Sequence, residues 1–235
     1  MNIDQMTIVT WNCNEAFRKK YAELAFLNAD IMVIQECENP ETSIDKAYKE
    51  WAVNYLWTGD NKNKGLGIFC KKEISLVRNN WEDNKTKYFI SARINDRFNL
   101  LAVWNHHAQS PNFKYIGQLW KYLQVNKIHL KEAIIAGDFN SNTIWDEWDR
   151  WWNHTDVVRE LDDIGIRSLY HEYFNERQGK ESNPTFFLQR NQSKAYHIDY
   201  VFASTKMFTE VRSIVIGNSS KWLKFSDHLP MIISL

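Results

Sequence analysis

The chain has 235 residues and a mass of 28.0 kDa, the size of one large domain or at most two small ones and enough to bury a substantial core without staples. Its 29 basic and 29 acidic residues cancel, which excludes a global electrostatic pull toward nucleic acid or an anionic membrane but leaves local basic loops open. Cys13, Cys37 and Cys70 are widely spaced and form no C-x-x-C pair, so a zinc site and a disulfide framework are not expected and a reducing, cytoplasmic setting is. Residues 1–9 carry Asp4 and no basic run, unlike a secretory signal, and no apolar run approaches the length of a membrane span. With only 8 glycines and 4 prolines, long linkers are not expected, and residues 1–235 read as a single domain.

In chain order, 6–11 reads as a strand and 15–28 as a helix, with Phe17, Tyr21, Leu24 and Leu27 or Ala25 on one face. Residues 30–36 (DIMVIQE) form a buried strand by their continuous apolar run, and a short helix is expected over 41–49. Strand-like runs follow at 55–58, 65–71, 74–78, 88–95 and 98–105. Residues 113–128 have helical spacing, 133–139 form a strand, and 157–165 is a short helix stopped by Gly165. Strands return at 185–189, 197–203, 208–216 and 230–235. About a dozen strands with about four helices do not alternate as βαβα. The pattern predicts an α/β fold of two mixed sheets packed on each other, with helices outside. Gly65-Leu66-Gly67 lacks the remainder of a dinucleotide fingerprint and is discounted.

Polar residues stand directly at the ends of buried strands: Asn12 after 7–11, Glu36 at the end of 30–35, Asp138 and Asn140 after 133–136, Asp199 within 197–203, and Asp227 with His228 before the last strand. Any one of them alone is a turn or capping residue. Such positions together can converge at one rim of a sheet, where ligands bind. Oxygen donors from Glu36, Asp138, Asn12 and Asn140 suit Mg²⁺ or Mn²⁺ rather than zinc. A histidine adds a group that can polarise or deprotonate water near neutral pH, and a carboxylate beside it would fix its tautomer. Together these parts describe hydrolysis of a phosphate ester.

Thr10-Trp11-Asn12, Ile34-Gln35-Glu36, Gly137-Asp138-Phe139-Asn140-Ser141, His197-Ile198-Asp199-Tyr200 and Ser226-Asp227-His228-Leu229-Pro230 occur in this order. They resemble the endonuclease/exonuclease/phosphatase superfamily, from about residue 6 to the C-terminus. That family includes pancreatic deoxyribonuclease, exonuclease III-type abasic endonucleases, inositol-polyphosphate 5-phosphatases and neutral sphingomyelinases. The resemblance implies a four-layer α/β/β/α sandwich and a divalent-metal-dependent phosphodiester hydrolase. By it, Glu36 is the principal metal ligand and Asn12 a nearby ligand or a group behind it; Asp227 lies by the metal or a second metal position. Asp138 would orient or activate the attacking water, Asn140 help hold the phosphate, and Asp199 orient His228. His228 would contact the scissile phosphate or act as base, so either Asp138 or His228 is the base.

Family members also carry a His or Tyr after a middle strand, close to the leaving group. In Val103-Trp104-Asn105-His106-His107-Ala108 the H-x-A match favours His106; alternation lets only one of the pair face the site, leaving His107 as a substrate contact or an ordinary surface histidine. His197 stands where many relatives have Arg, and Asn14 where some have Asp.

Among the 11 tryptophans, Trp145, Trp148 and Trp152 would share a face if 143–152 were helical. They read as core, or as a platform that stacks a base, and Asp146, Glu147 and Asp149 count against a surface that tracks phosphates. Lys62 and Lys64 read as solvated loop lysines. Lys221 and Lys224 read the same way or as phosphate contacts near Asp227. Cys13 and Cys37 read as buried small hydrophobes; His129, His154 and His171 show no partner pattern. The function expected first is an endonuclease acting on nucleic acid. A phosphatase or phosphodiesterase of a small phosphorylated metabolite, inositol phosphate or phospholipid headgroup is the alternative. A catalytically silent binding module would be expected to lack a key side chain, and all are present.

Overall fold

The computed structural model describes residues 6–107, 110 and 112–235. One six-stranded sheet contains β1 (Thr7–Asn12), β2 (Ile31–Cys37), β3 (Tyr55–Asn61), β4 (Lys64–Cys70), β13 (Ser213–Ile216) and β14 (Met231–Ser234), in the order β13-β14-β1-β2-β4-β3. The other contains β5 (Leu76–Arg78), β6 (Phe89–Ile94), β7 (Phe98–Trp104), β8 (Ala133–Asp138), β9 (Ile166–Ser168) and β12 (Asp199–Ser204), in the order β5-β6-β7-β8-β12-β9. Each sheet has one parallel pair near its middle, β1 with β2 and β7 with β8, flanked by antiparallel neighbours. A two-stranded ribbon, β10 (Phe186–Phe187) with β11 (Ala195–Tyr196), stands apart.

Alternation along the strands decides what each face does. Ile8, Val33, Ile68, Leu100, Ile134, Val201 and Ile233 meet between the sheets. The opposite face of the first sheet, with Val9, Trp11 and Ile34, is covered by 3₁₀ turns, α1 (Lys46–Trp51) and α5 (Ser219–Trp222). The opposite face of the second, with Leu101, Ile135 and Phe202, is covered by α2 (Ile116–Asn126) and α3 (His154–Asp162). The result is the expected four-layer α/β/β/α sandwich.

Several element boundaries differ from the sequence reading. The helix expected over 15–28 is two 3₁₀ segments, Phe17–Lys19 and Tyr21–Leu27. Asn14, Glu15 and Ala16 are all left-handed, with φ of 50°, 61° and 51°, and the Lys20 ammonium donates to the Cys13 and Asn14 carbonyls at 2.6 and 3.0 Å. That turn-back uses up the residues a regular helix would need, yet Phe17 and Leu24 still reach the core. The helix expected over 41–49 begins at Lys46 because the Asp45 side chain caps it, accepting from the Tyr48 amide. The run 185–189 pairs only at Phe186–Phe187, then turns through left-handed Gln189 and Arg190. The run 208–216 splits into a 3₁₀ turn, Thr205–Glu210, and β13. A six-residue helix, α4 (Leu169–Phe174), was not foreseen.

A buried polar network backs the loop after β8. The Asn142 amide donates to Glu181, to the His197 carbonyl and to the Tyr200 hydroxyl at 2.9–3.2 Å. His171 pairs with the other Glu181 oxygen at 3.0 Å, and His154 bridges Ser141 and Gln178 at 3.2 Å each. His154 and His171, for which the sequence showed no partner pattern, are therefore structural. His129 stacks on Trp81 at 5.0 Å.

Burial pulls His154 and His197 each from the ordinary 6.5 down to about 4. The unfolded chain takes up those protons near 6.5 and the folded one does not. The stability they protect is therefore full above pH 6.5 and is lost as pH falls toward 4, by about 1.4 kcal/mol per pH unit and histidine. Urea midpoints should fall between about pH 7.5 and about pH 5, and fall less in His154→Gln; an unchanged wild-type midpoint would contradict this. At Gly137, φ is +151° and a Cβ would lie 1.8 Å from the Val103 carbonyl oxygen. Gly137→Ala should cost about 3 kcal/mol or more, whereas Gly165→Ala, left-handed but with its Cβ meeting only the Thr205 hydroxyl at an ordinary 3.9 Å, should cost about 1–2 kcal/mol. Equal losses in urea unfolding would contradict the close approach.

Candidate active site

The same alternation that builds the core between the sheets carries on into polar residues at one rim. Ile8 and Thr10 lead to Asn12, Ile134 and Ala136 to Asp138, and Val201 and Ala203 share the face of Asp199. Asp138 and Asp199 are register partners across β8 and β12. Glu36 would by parity point outward with Ile34. A bulge between Gln35 and Cys37, with Glu36 left-handed at φ 62°, breaks the alternation. Cys37 takes the outward place and the Glu36 carboxylate reaches Asn12.

His228 Nδ1 lies 2.9 Å from Asp199 Oδ2, both residues buried. The imidazole is fixed by its surroundings. Its backbone carbonyl accepts from the Trp11 indole at 3.0 Å, and its amide donates to the Ser226 hydroxyl at 3.0 Å. Ser226 in turn donates to the Asn12 carbonyl at 2.7 Å, and the Phe186 ring lies 4.6 Å from the imidazole. The Thr185 hydroxyl accepts from the Ile198 and Asp199 amides, each at 3.0 Å. Burial alone would lower the His228 pKa; the Asp199 carboxylate against Nδ1 overrides it and holds the ring up at about 9.

Asp138 is completely buried. Its Oδ2 accepts from the side-chain amides of Asn12 and Asn140, both at 2.9 Å, and its Oδ1 from the Asn140 backbone at 2.8 Å. Burial raises the carboxyl to about 7; His228 opposes that rise and Asp199 adds to it. The Asn140 amide also donates to the Asn105 carbonyl at 2.9 Å, which leaves it no N–H for a phosphate. The Asn105 side chain donates to the Phe139 carbonyl at 3.1 Å, and its backbone amide to the Asp138 carbonyl at 2.9 Å. The loop carrying Asp138 is thus clasped to the end of β7.

Glu36 Oε1 accepts from Asn12 at 3.3 Å, and Glu36 Oε2 pairs with the Lys64 ammonium at 2.8 Å, which also meets Glu15 at 3.1 Å. Asp227 Oδ1 accepts from the Asn14 side chain at 3.1 Å, while the Asn14 backbone donates to Asn12 Oδ1 at 3.0 Å. Asn12 therefore presents N–H to the carboxylates and stands behind Glu36 rather than offering it an oxygen partner. The carboxylates of Glu36 and Asp227 are hard donors, and Glu36 draws a cationic group even from its own chain; the residues fit a hard divalent cation. Ligand atoms of Asp138, Asp199 and His228 also lie within 4.8 Å of one another, but His228 Nδ1 is engaged by Asp199.

His106 is half-buried against Trp104 and Tyr88, with ring centroids at 5.2 and 5.4 Å, and its ring is 4.4 Å from exposed His107. Burial lowers its pKa, and the charges of His107, Lys64 and Glu36 bear on it, which sets His106 on the Glu36 side. Ala108, the last residue of the H-x-A match, is outside the described residues. Lys221 is not brought to the rim: its ammonium sits 3.6 Å from the Phe26 ring centroid, on the outer layer. Lys224 is exposed beside α5. Cys13 and Cys37 are buried and free, as expected.

Five residues at the site were given no role by the sequence reading: Asn14, Lys64, Asn105, Thr185 and Ser226. Ser226 had a signal, its place directly before Asp227-His228. Lys64 needed the β2–β4 register, which sets Gly65 opposite Cys37.

Trp145, Trp148 and Trp152 do not share a helical face. Only Thr143–Trp145 is 3₁₀, because Asn142 caps that turn and Asp146 caps the start of α3, accepting from the His154 amide at 2.9 Å. Trp152 packs on Phe113, whereas Trp148 is 97% exposed.

The architecture recurs in solved structures. A 3′ phosphatase from Neisseria, bound to a product DNA hairpin, is similar with a TM-score of 0.71 at 18% identity, over 97% of this chain and 98% of that one. An AP endonuclease from Archaeoglobus fulgidus gives 0.67 at 19% identity, over 97% and 98%. A humanized D. rerio TDP2 gives 0.66 at 18% identity, over 98% of both chains. At these identities the likeness is one of fold. No curated protein matches the sequence. The sequence does match the Endonuclease/Exonuclease/phosphatase family over residues 9–228, and the chain belongs to that family.

Proposed function

We propose that this chain is a divalent-metal-dependent phosphodiester hydrolase acting on nucleic acid, cutting within a strand. The observation that carries the reading is the buried Asp199–His228 pair at 2.9 Å, set on the same rim as Asp138 and Glu36. Its family and the DNA-bound phosphatase and AP endonuclease among similar structures support nucleic acid as substrate.

Glu36 and Asp227 would hold Mg²⁺ or Mn²⁺, which when bound supplies charge against the phosphate. Asn12 and Asn140 aim Asp138, and Asp138 takes the proton of the attacking water. The water oxygen bonds to phosphorus as the bond from phosphorus to the leaving oxygen breaks, and the leaving oxygen takes a proton from solvent. Asp199 keeps His228 cationic and directs its other nitrogen to a non-bridging phosphate oxygen, where it stabilises developing charge. On this reading the base is Asp138 rather than His228, and His106 would serve the leaving group. A small phosphorylated molecule is the second reading, favoured by the zero net charge.

Wild type should nick supercoiled plasmid with Mg²⁺ and lose that activity with a chelator. Asp138→Asn and His228→Ala should each lower kcat about 100-fold or more while the protein stays folded, although His228→Ala, which leaves the buried Asp199 carboxylate unpaired, should also lower the urea midpoint; near-native turnover in either would remove the assignment. Glu36→Gln should raise the Mg²⁺ concentration for half-maximal rate by about tenfold or more, and an unchanged requirement would remove Glu36 as ligand. No cleavage of plasmid or of single-stranded DNA by wild type, with turnover of small phosphate esters, would select the second reading.

A further inference from the structure

Next to the catalytic loop a cleft of about 740 Å³ opens, lined at one end by Asn140 and Ser141 and along its walls by Tyr115, Trp145 and Trp151. The size is that of a small-ligand pocket. These three rings are 44%, 45% and 67% exposed, large apolar surface that folding has not covered. The wall that carries Trp145 is held by local contacts. Asn142 caps the turn that carries Trp145, whose ring meets Tyr196 at 5.1 Å. Asp146 is anchored at the start of α3, and the guanidinium of Arg150 lies over Trp152 at 4.9 Å.

Charge decides the occupant. Asp146, Glu147 and Asp149 line the same cleft with Lys114 and Arg150, and Arg150 and Glu147 cancel as a pair. That lining offers a phosphate backbone no net positive charge to track, whereas a flat uncharged ring needs only the exposed aromatic faces. We infer that the cleft is a subsite for an unpaired nucleobase flanking the scissile phosphate, and that it makes the enzyme selective for single-stranded or unpaired segments over intact duplex. The inference rests on the nucleic-acid reading above and names the part of the substrate that reading leaves open. Every base has a π-face, so the subsite reads the presence of a base rather than its identity.

The test uses a single-stranded oligonucleotide, the same strand in duplex, and the strand with baseless residues on either side of the cut. Trp151→Ala and Trp145→Ala should raise KM for the single strand by about tenfold with kcat nearly unchanged, and Trp151→Phe should recover most of the loss. Wild type should lose the same factor on the baseless strand, while Trp151→Ala should be indifferent to it. Cleavage of the single strand with unchanged KM in both alanine variants would overturn the subsite alone. So would a loss that persists equally on the baseless strand, or variants that alter only self-association. Absence of nucleic-acid cleavage by wild type would overturn the functional reading and the subsite with it.

Discussion

The arrangement depends on one buried contact, the Asp199 carboxylate against the His228 imidazole. It joins the two sheets: Asp199 begins β12 in one, and His228 leads into β14 in the other. A buried ion pair contributes little net stability, because removing two charges from water costs about as much as their attraction returns. Its retention is explained by what it does to the imidazole. The carboxylate fixes one nitrogen and raises the ring's pKa in a place where burial would otherwise lower it. Everything around it, from the Trp11 indole to the Ser226 hydroxyl, restricts how that ring can move.

The second constraint is parity. Each central strand turns one face to the core between the sheets, and where a strand ends that face becomes the rim. Asn12, Asp138 and Asp199 reach one place because they continue the faces of Ile8, Ile134 and Val201. Glu36 breaks the rule through its bulge, in a left-handed conformation costing about 1–2 kcal/mol. The strain buys the carboxylate its inward aim. Gly137 serves the same end, letting β8 approach β7 so closely that Asn105 can clasp the loop bearing Asp138.

The layers and the rim were legible because apolar runs and their polar ends are properties of neighbouring residues. What was illegible depends on partners distant in sequence or on backbone signs that composition does not reveal. Three successive left-handed residues after β1 turned an amphipathic 15–28 into 3₁₀ pieces, although only Asn14 among them favours that conformation. Lys64 looked like a loop lysine until the β2–β4 pairing set it against Glu36. Lys221 follows the helix surface onto Phe26 instead of the rim. The tryptophans after the catalytic loop had helical spacing, but two local side-chain anchors cut the segment into turns, leaving Trp145 and Trp148 exposed while Trp152 packs on Phe113.

The central claim is that Asp199 and His228 act as one unit in phosphodiester hydrolysis. A double-mutant cycle on kcat tests it most directly, with Asp199→Asn, His228→Ala and the pair together, assayed on a single-stranded oligonucleotide with saturating Mg²⁺. If Asp199 acts only through the imidazole, the double variant should be no slower than His228→Ala alone. If the two losses multiply, Asp199 has a separate task and the account of the pair is wrong.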